Sequence, residues 1–167
     1  SAIAGPAYAG IPVTHRKYCT QFTVFTGHED VNKKESSLDL KGIAGAQGTK
    51  IMLMGMQKLA DVCEALTGYG QEPSTPAAAI QWATTGIQRT VTGTVRTLPA
   101  KVQKAGLGAP AVVVIGDVVK ERDSLAWFEK LPLFGKRIVV TRTRAQAGEL
   151  SVRLRRLGAE VLEMPTI

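Results

Sequence analysis

Hydrophobic and polar positions recur with two periods along this chain, and the switches between them mark its elements. Gln21 to Thr26 sets Phe22 and Val24 against polar neighbours, which predicts a strand ending in a turn at Gly27. Leu38 to Ala44 reads as a short helix, after a charged, loop-like stretch from Val31 to Ser37. Thr49 to Met54 is a near-continuous apolar run closed by Gly55, as expected of a buried strand. From Gln57 to Leu66 the period lengthens: Leu59, Val62, Cys63 and Leu66 fall on one helical face, and Gly68 and Gly70 stop the helix. Thr75-Pro76 opens a strand running to about Trp82, Gln88 to Val95 alternates as another, and Leu98 to Lys104 is helical. Ala111 to Ile115 has no polar position, which predicts a strand covered on both faces. Asp123 to Lys130 is expected to be a short helix carrying Trp127 and Phe128, and Ser1 to Ala9 the tail of a helix limited by Pro6.

The pattern changes after Leu131-Pro-Leu-Phe-Gly135, which reads as a linker. Lys136 to Thr141 is a strand, Ala145 to Leu157 an amphipathic helix capped by Gly158, and Glu160 to Met164 a second strand. That order is a βαβ unit, the smallest element of a parallel sheet. Alone it cannot bury both faces, so it is expected to begin a domain that these residues do not complete. The fold class expected is α/β, a mixed sheet of about five strands with flanking helices, followed by the partial βαβ unit.

Composition adds little to that outline but narrows the partners. With 167 residues the chain has room for one ordinary domain, or one domain and a piece of another. The net charge of +7 calls for an anionic partner or a solvated surface. The basic residues form no dense stripe, and Arg153, Arg155 and Arg156 at helical spacing read as a solvated face, so nucleic acid is not expected. A small polyanionic substrate accounts for the charge as well. Cys19 and Cys63 have neither metal-ligand spacing nor a disulfide framework and read as small buried hydrophobes. No apolar run reaches the roughly 20 residues that span a bilayer, and the start lacks a basic, apolar leader pattern. A cytoplasmic protein without a membrane partner is expected.

Candidate chemistry concentrates in Tyr8-Ala-Gly-Ile-Pro-Val-Thr-His-Arg16 and Thr26-Gly27-His28. A phenol, two imidazoles and a guanidinium gather around a glycine turn and a proline, a mixture suited to a flat anionic ligand. Arg16 offers a planar fork that pairs carboxylates bidentately, or it forms a surface ion pair. His28 follows a strand and a glycine, where binding sites often lie, although it and His15 could equally cap turns. Tyr8 could hydrogen-bond a ligand or pack at a junction. Neither histidine has a second ligand at metal spacing, so no metal site is expected.

At this point residues 1 to about 130 resemble the second half of a uroporphyrinogen-III C-methyltransferase, of the tetrapyrrole methylase family, with residues 1–12 as the junction helix. The matching pieces are the Tyr8–Arg16 and Thr26–His28 runs, Met54-Gly55, Thr75-Pro76, Gln88-Arg89, Gly93-Thr94 and Gly116-Asp117-Val118-Val119. Residues 136–167, with the preceding Gly135, are similar to the opening of a uroporphyrinogen-III synthase, through Gly135-Lys-Arg-Ile-Val-Val-Thr-Arg142 and Gly158-Ala-Glu-Val.

The resemblance implies methyl transfer from S-adenosylmethionine to two pyrrole carbons of uroporphyrinogen III. The products would be S-adenosylhomocysteine and precorrin-2, the entry to sirohaem and cobalamin. It implies Arg16, His28 and Tyr8 as substrate contacts, and Ser1, Met54, Pro76, Ala77, Ala78, Ala83 and Thr84 as cosubstrate contacts. Met54 would lie against the cosubstrate, or else fill the core beside Met52 and Met56. Pro76, Ala77 and Ala78 would let backbone approach the adenine. Ala83 stands where the family favours glycine, so it would be strained if that position needs positive φ. Thr141 and Arg142 could face substrate in a complete synthase, or cap a helix start. The family's Gly-rich loop and Gly-Gly-Asp segment would lie before Ser1 with its acid/base candidates, so no catalytic residue is assigned. The 167 residues alone are expected to be inactive. A homodimer is also implied. The alternatives are a non-catalytic tetrapyrrole- or nucleotide-binding module, a methylase of a later corrinoid, or a protein whose main activity is the synthase.

Overall fold

The computed structural model describes residues 1–28, 37–142 and 144–165, so the expected loop from Val31 lies, as far as residue 36, outside the described residues. After a short helix α1 (Ala4–Tyr8) come strand β1 (Phe22–Thr26), helix α2 (Leu40–Gly45), strand β2 (Thr49–Leu53) and helix α3 (Leu59–Gly68). Strands β3 (Pro76–Gln81) and β4 (Arg89–Thr94), helix α4 (Leu98–Ala105) and strand β5 (Ala111–Ile115) follow. The five strands form one mixed sheet in the order β1-β2-β5-β3-β4. β1 and β2 are parallel, and every other pair is antiparallel. The expected mixed five-stranded sheet with flanking helices is therefore what the chain forms.

β5 is central, and its unbroken apolar run is explained by its two faces. Val113 and Ile115 join Met52, Phe25 and Ala79 under α2, α3 and α4. Val112 and Val114 join Ile51, Ala78 and Ile80 beneath the amino-terminal segment and residues 117–121. Each of its four buried side chains, Val112 to Ile115, contributes roughly 1.5–3 kcal/mol to the sheet. α3 buries the four apolar positions that its period predicts, Leu59, Val62, Cys63 and Leu66. Burial pushes the Cys63 thiol up to about 11, so it packs as a hydrophobe. Lys50 is unexpected inside β2. Its ammonium donates to the Ala46 carbonyl at 2.8 Å, just past the end of α2, and burial lowers its pKa.

The single helix expected over Asp123 to Lys130 is not formed. A 3₁₀ turn occupies Asp117–Glu121, a one-turn helix α5 Arg122–Leu125, and a second 3₁₀ turn Phe128–Lys130. Between them Ala126 is extended at φ −65°, ψ 104°. The break has a tertiary cause. Gly10, at φ +74°, packs so closely that a Cβ there would lie 2.5 Å from the Ala126 nitrogen. Trp127 and Phe128 turn onto Tyr8, with ring centroids 5.1 and 4.8 Å from it.

Beyond residues 131–135, a turn region, β6 (Arg137–Val140), α6 (Arg144–Arg156) and β7 (Glu160–Glu163) form the expected βαβ unit, with β6 and β7 parallel. Its small core is Val140, Ala159 and Val161, flanked by Leu133, Ile138 and Leu154. The unit is seated on the first sheet. The Gly135 amide donates to the Gly86 carbonyl at 2.9 Å, and Phe134 meets Phe128 edge-to-face. No described helix is long and apolar enough to cross a membrane.

Candidate functional site

Among the described residues, three other than glycine have left-handed backbone: Met54 at φ 52°, Trp82 at φ 46° and Thr84 at φ 72°. All three stand at one end of the five-stranded sheet. Met54 directly follows β2, Trp82 directly follows β3, and Leu53 and Ile80 both pair with Val112 at the start of β5. Each such conformation costs roughly 1–3 kcal/mol and persists where surrounding structure imposes it, which is characteristic of ligand sites. Beside Met54 and Trp82 opens a mainly apolar cleft of about 560 Å³, lined by Ser1, Leu53, Met54, Ile80, Trp82, Ala83, Thr85 and Pro110 to Val112. That volume lies in the range of small-molecule sites.

Met54 is 69% exposed while Met52 is 1% exposed. Met52 is therefore the thioether that fills the core, and Met54 is turned out by its positive φ. On its other side a second cleft of about 370 Å³ joins Met54 to His28, Met56, Gln57, Pro110 and Ala111. Two glycines bring His28 to this position. A Cβ on Gly27 would lie 2.6 Å from the Gly55 Cα, and the Gly27 amide donates to the Leu53 carbonyl at 2.8 Å. The ends of the parallel strands β1 and β2 can thus approach closely. The His28 amide and carbonyl both engage the Thr26 hydroxyl, at 3.4 and 3.1 Å.

The residues expected to meet the cosubstrate lie in three places. Ser1, Met54 and Ala83 share the larger cleft. Thr84 lies on the far side of its own turn, in a cleft of about 410 Å³ that includes Tyr8, Phe128, Arg155 and Arg156. Pro76, Ala77 and Ala78 lie at the opposite end of β3, where the Gly116 amide donates to the Pro76 carbonyl at 2.8 Å. Ala77 and Ala78 are wholly buried, one on each face of the sheet. Ala83 is not among the left-handed residues; the turn takes its positive φ at Trp82 and Thr84, on either side.

Arg16 stands at the other end of β1 and β2, in a polar cleft of about 470 Å³ with Lys17, Tyr18, Gln21, Gln47 and Gly48. Its neighbourhood is basic: Lys17 and Lys120 both lie over the Tyr18 ring, and His15 stacks against it. Between Arg16 and His28, Phe22 and Val24 remain exposed along the edge strand. They alternate with Phe25, which faces the α2–α3 side, so both lie on the opposite face. A five-residue strand spans roughly 16 Å. The edge of β1 is thus an apolar bench with an imidazole at one end and a guanidinium at the other. Tyr8 packs between Trp127 and Phe128.

Behind the Thr84 turn lies a buried polar network whose pairing of Gln88 with the distant Glu129 and Arg122 carries no signal in the sequence. Gln88, 4% exposed, accepts from the Thr84 amide at 2.9 Å and donates to Glu129 at 2.9 Å and to the Tyr8 carbonyl at 3.4 Å. Glu129 also accepts from Thr90 at 2.7 Å and Arg122 at 2.5 Å, and Arg122 donates to the Ala9 carbonyl at 2.6 Å. Burial pushes the Glu129 carboxyl up, but the bonds from Arg122, Gln88 and Thr90 and the Arg122 charge outweigh it and hold the pKa below its ordinary value. Trp82 was likewise invisible as a site residue, because an apolar strand end carries no signature of a left-handed turn.

The chain is similar to several known proteins. The chain is 40% identical over 165 residues to the uroporphyrinogen-III C-methyltransferase of Bacillus subtilis (strain 168), covering 99% of this chain and 34% of that protein. It is 36% identical over 167 residues to the porphyrin biosynthesis protein HemD of Ruminiclostridium josui, covering 100% of this chain and 33% of that one. The chain therefore spans about a third of the length of these curated relatives. Among solved structures, uroporphyrin-III C-methyl transferase from Thermus thermophilus complexed with S-adenyl homocysteine superposes with a TM-score of 0.57 at 26% identity, covering 68% of this chain and 49% of that one. The description of the Tetrapyrrole (Corrin/Porphyrin) Methylases matches residues 1–99. With more than half its length matched in this way, the chain belongs to the tetrapyrrole methylase family.

Proposed function

We propose that this chain is part of an S-adenosylmethionine-dependent uroporphyrinogen-III C-methyltransferase that forms precorrin-2. The observation that carries the reading is the pair of left-handed residues Met54 and Trp82 on an apolar cleft in a chain of this family. The exposed Met54 thioether and the small Ser1 and Ala83 form an apolar wall that fits the cosubstrate. S-adenosylmethionine supplies an electrophilic methyl when bound, and the protein's task is alignment with an electron-rich pyrrole carbon. Arg16 and His28, at the two ends of the β1 edge, suit a flat macrocycle with carboxylates around its rim, and Phe22 and Val24 suit its apolar plane. The positive net charge supports the same polyanionic substrate.

Residues 1–130 are read as the carboxy-terminal half of the methylase and 136–167 as the first βαβ unit of a synthase-like domain, in a cytoplasmic homodimer. These 167 residues contain neither the family's Gly-rich loop nor its Gly-Gly-Asp segment, so they supply one wall of the cleft and are expected not to methylate alone. The test is calorimetric titration of S-adenosylhomocysteine into a chain extended upstream by the Gly-rich half that the family carries. Saturable binding, lost on Met54→Lys, is expected. Binding unaffected by that change removes Met54 from the site, and no binding at all favours a non-catalytic module.

A further inference from the structure

We infer that Gln88 and Glu129 are positioning residues for methyl transfer, holding the left-handed Thr84 turn beside the cosubstrate wall through a buried hydrogen-bond chain. This rests on the reading of Ala83, which directly precedes Thr84 in the turn, as part of that wall. Thr84 is β-branched and stands at φ 72°, where a left-handed backbone needs support. Its amide has one acceptor, the Gln88 side-chain oxygen at 2.9 Å.

Orientation is the central question, because a glutamine amide can turn over and present either its oxygen or its nitrogen. Glu129 Oε1 and the Tyr8 carbonyl can only accept, and both face Gln88 Nε2. The Gln88 nitrogen is thereby committed to them, which leaves its oxygen for Thr84. Glu129 is itself fixed by Thr90 and by Arg122, whose other nitrogen holds the Ala9 carbonyl at the end of α1. Residues 117–130 thus reach back across the fold to set one backbone amide in the turn between β3 and β4. Neither Gln88 nor Glu129 lines the cleft that holds Met54, so they act on it only through the turn.

The pairing predicts a pattern of loss and rescue. Glu129→Gln leaves Gln88 free to turn over, and Gln88→Glu sets two carboxylates against each other. The double variant Gln88→Glu/Glu129→Gln re-forms the 88–129 bond, because residue 129 then donates and residue 88 accepts from it and from the Thr84 amide, and it gives up the longer bond to the Tyr8 carbonyl. Amide exchange of Thr84 is measured in the 167-residue chain, and S-adenosylhomocysteine affinity in the upstream-extended chain. Each single variant should speed Thr84 exchange and weaken binding by about tenfold, as expected for one buried hydrogen bond, and the double variant should recover both in part, to within about threefold, since the Tyr8 carbonyl stays without its donor. Unchanged Thr84 exchange in Glu129→Gln overturns the inference, as does a double variant no better than the singles. Faster exchange with unchanged affinity also overturns the positioning role. Failure of the functional reading shows separately, as Met54→Lys without effect on binding.

Discussion

At Met54, Trp82 and Thr84 the backbone itself is the device. A methionine at φ 52° is thrown out of the strand direction, which is why it is exposed two residues after one that fills the core. The neighbouring Ala83 lies between two strained residues without sharing their conformation, and its methyl faces Gly5, where a Cβ would stand 3.3 Å away. Glycine should therefore have opposite effects at adjacent positions. Ala83→Gly is expected to destabilise by about 0.5–1 kcal/mol, since it adds backbone freedom to the unfolded chain and relieves nothing. Thr84→Gly should be neutral or stabilising, because relief of left-handed strain offsets that entropy. Urea unfolding midpoints of the two variants decide the matter. A stabilising Ala83→Gly would show that Ala83 carries the strain.

At the level of elements, what could be read in the sequence was what adjacent residues determine. The unbroken run of β5 announced burial on both faces, and the spacing of Leu59, Val62, Cys63 and Leu66 announced the inward face of α3. The run from Asp123 to Lys130 was misread as one helix because its break is imposed from far away, by Gly10 against Ala126 and by Tyr8 between two aromatic rings. The site was legible in the same measure. The Met54 and His28 motifs meet at one end of β1 and β2, whereas the Gln88–Glu129 contact spans 41 positions and leaves no local trace.

That contact has a pH signature. The folded Glu129 carboxyl has a lowered pKa, so its unfolded form, near 4.3, binds the proton more tightly. Its stabilising contribution is complete above the unfolded value and is lost as pH falls through the folded one. Stability of the wild-type chain should therefore exceed that of Glu129→Gln by a constant amount from pH 7 to about 5, with the gap closing below. Unfolding midpoints that fall in parallel for both chains down to pH 3 would place the acid sensitivity elsewhere.

Across the whole molecule, the βαβ unit meets the methylase sheet at a point where no side chain can intervene. A Cβ on Gly86 would lie 2.4 Å from the Glu160 nitrogen, 2.5 Å from the Gly158 oxygen and 2.6 Å from the Ala159 carbonyl carbon, all of them backbone. A side chain can rotate away from an intruding methyl, but a strand entry cannot. The loop in contact is the one that carries Thr84, so the seat of the βαβ unit and the wall of the Met54 cleft share a turn. Gly86→Val should therefore unseat residues 136–165 while leaving the five-stranded sheet intact, because the Gly135–Gly86 hydrogen bond is broken with it. Among the described residues the βαβ unit has three buried hydrophobic core residues and exposed Val139 and Leu162, too little to hold it folded without its seat. Limited proteolysis followed by mass spectrometry should show rapid cleavage between residues 131 and 165 in Gly86→Val, with residues 1–130 surviving as a resistant product that melts close to the wild-type temperature. Equal resistance throughout both chains, with a single unchanged transition, would mean that the strand entry yields to the valine and that the seat is softer than its backbone contacts imply.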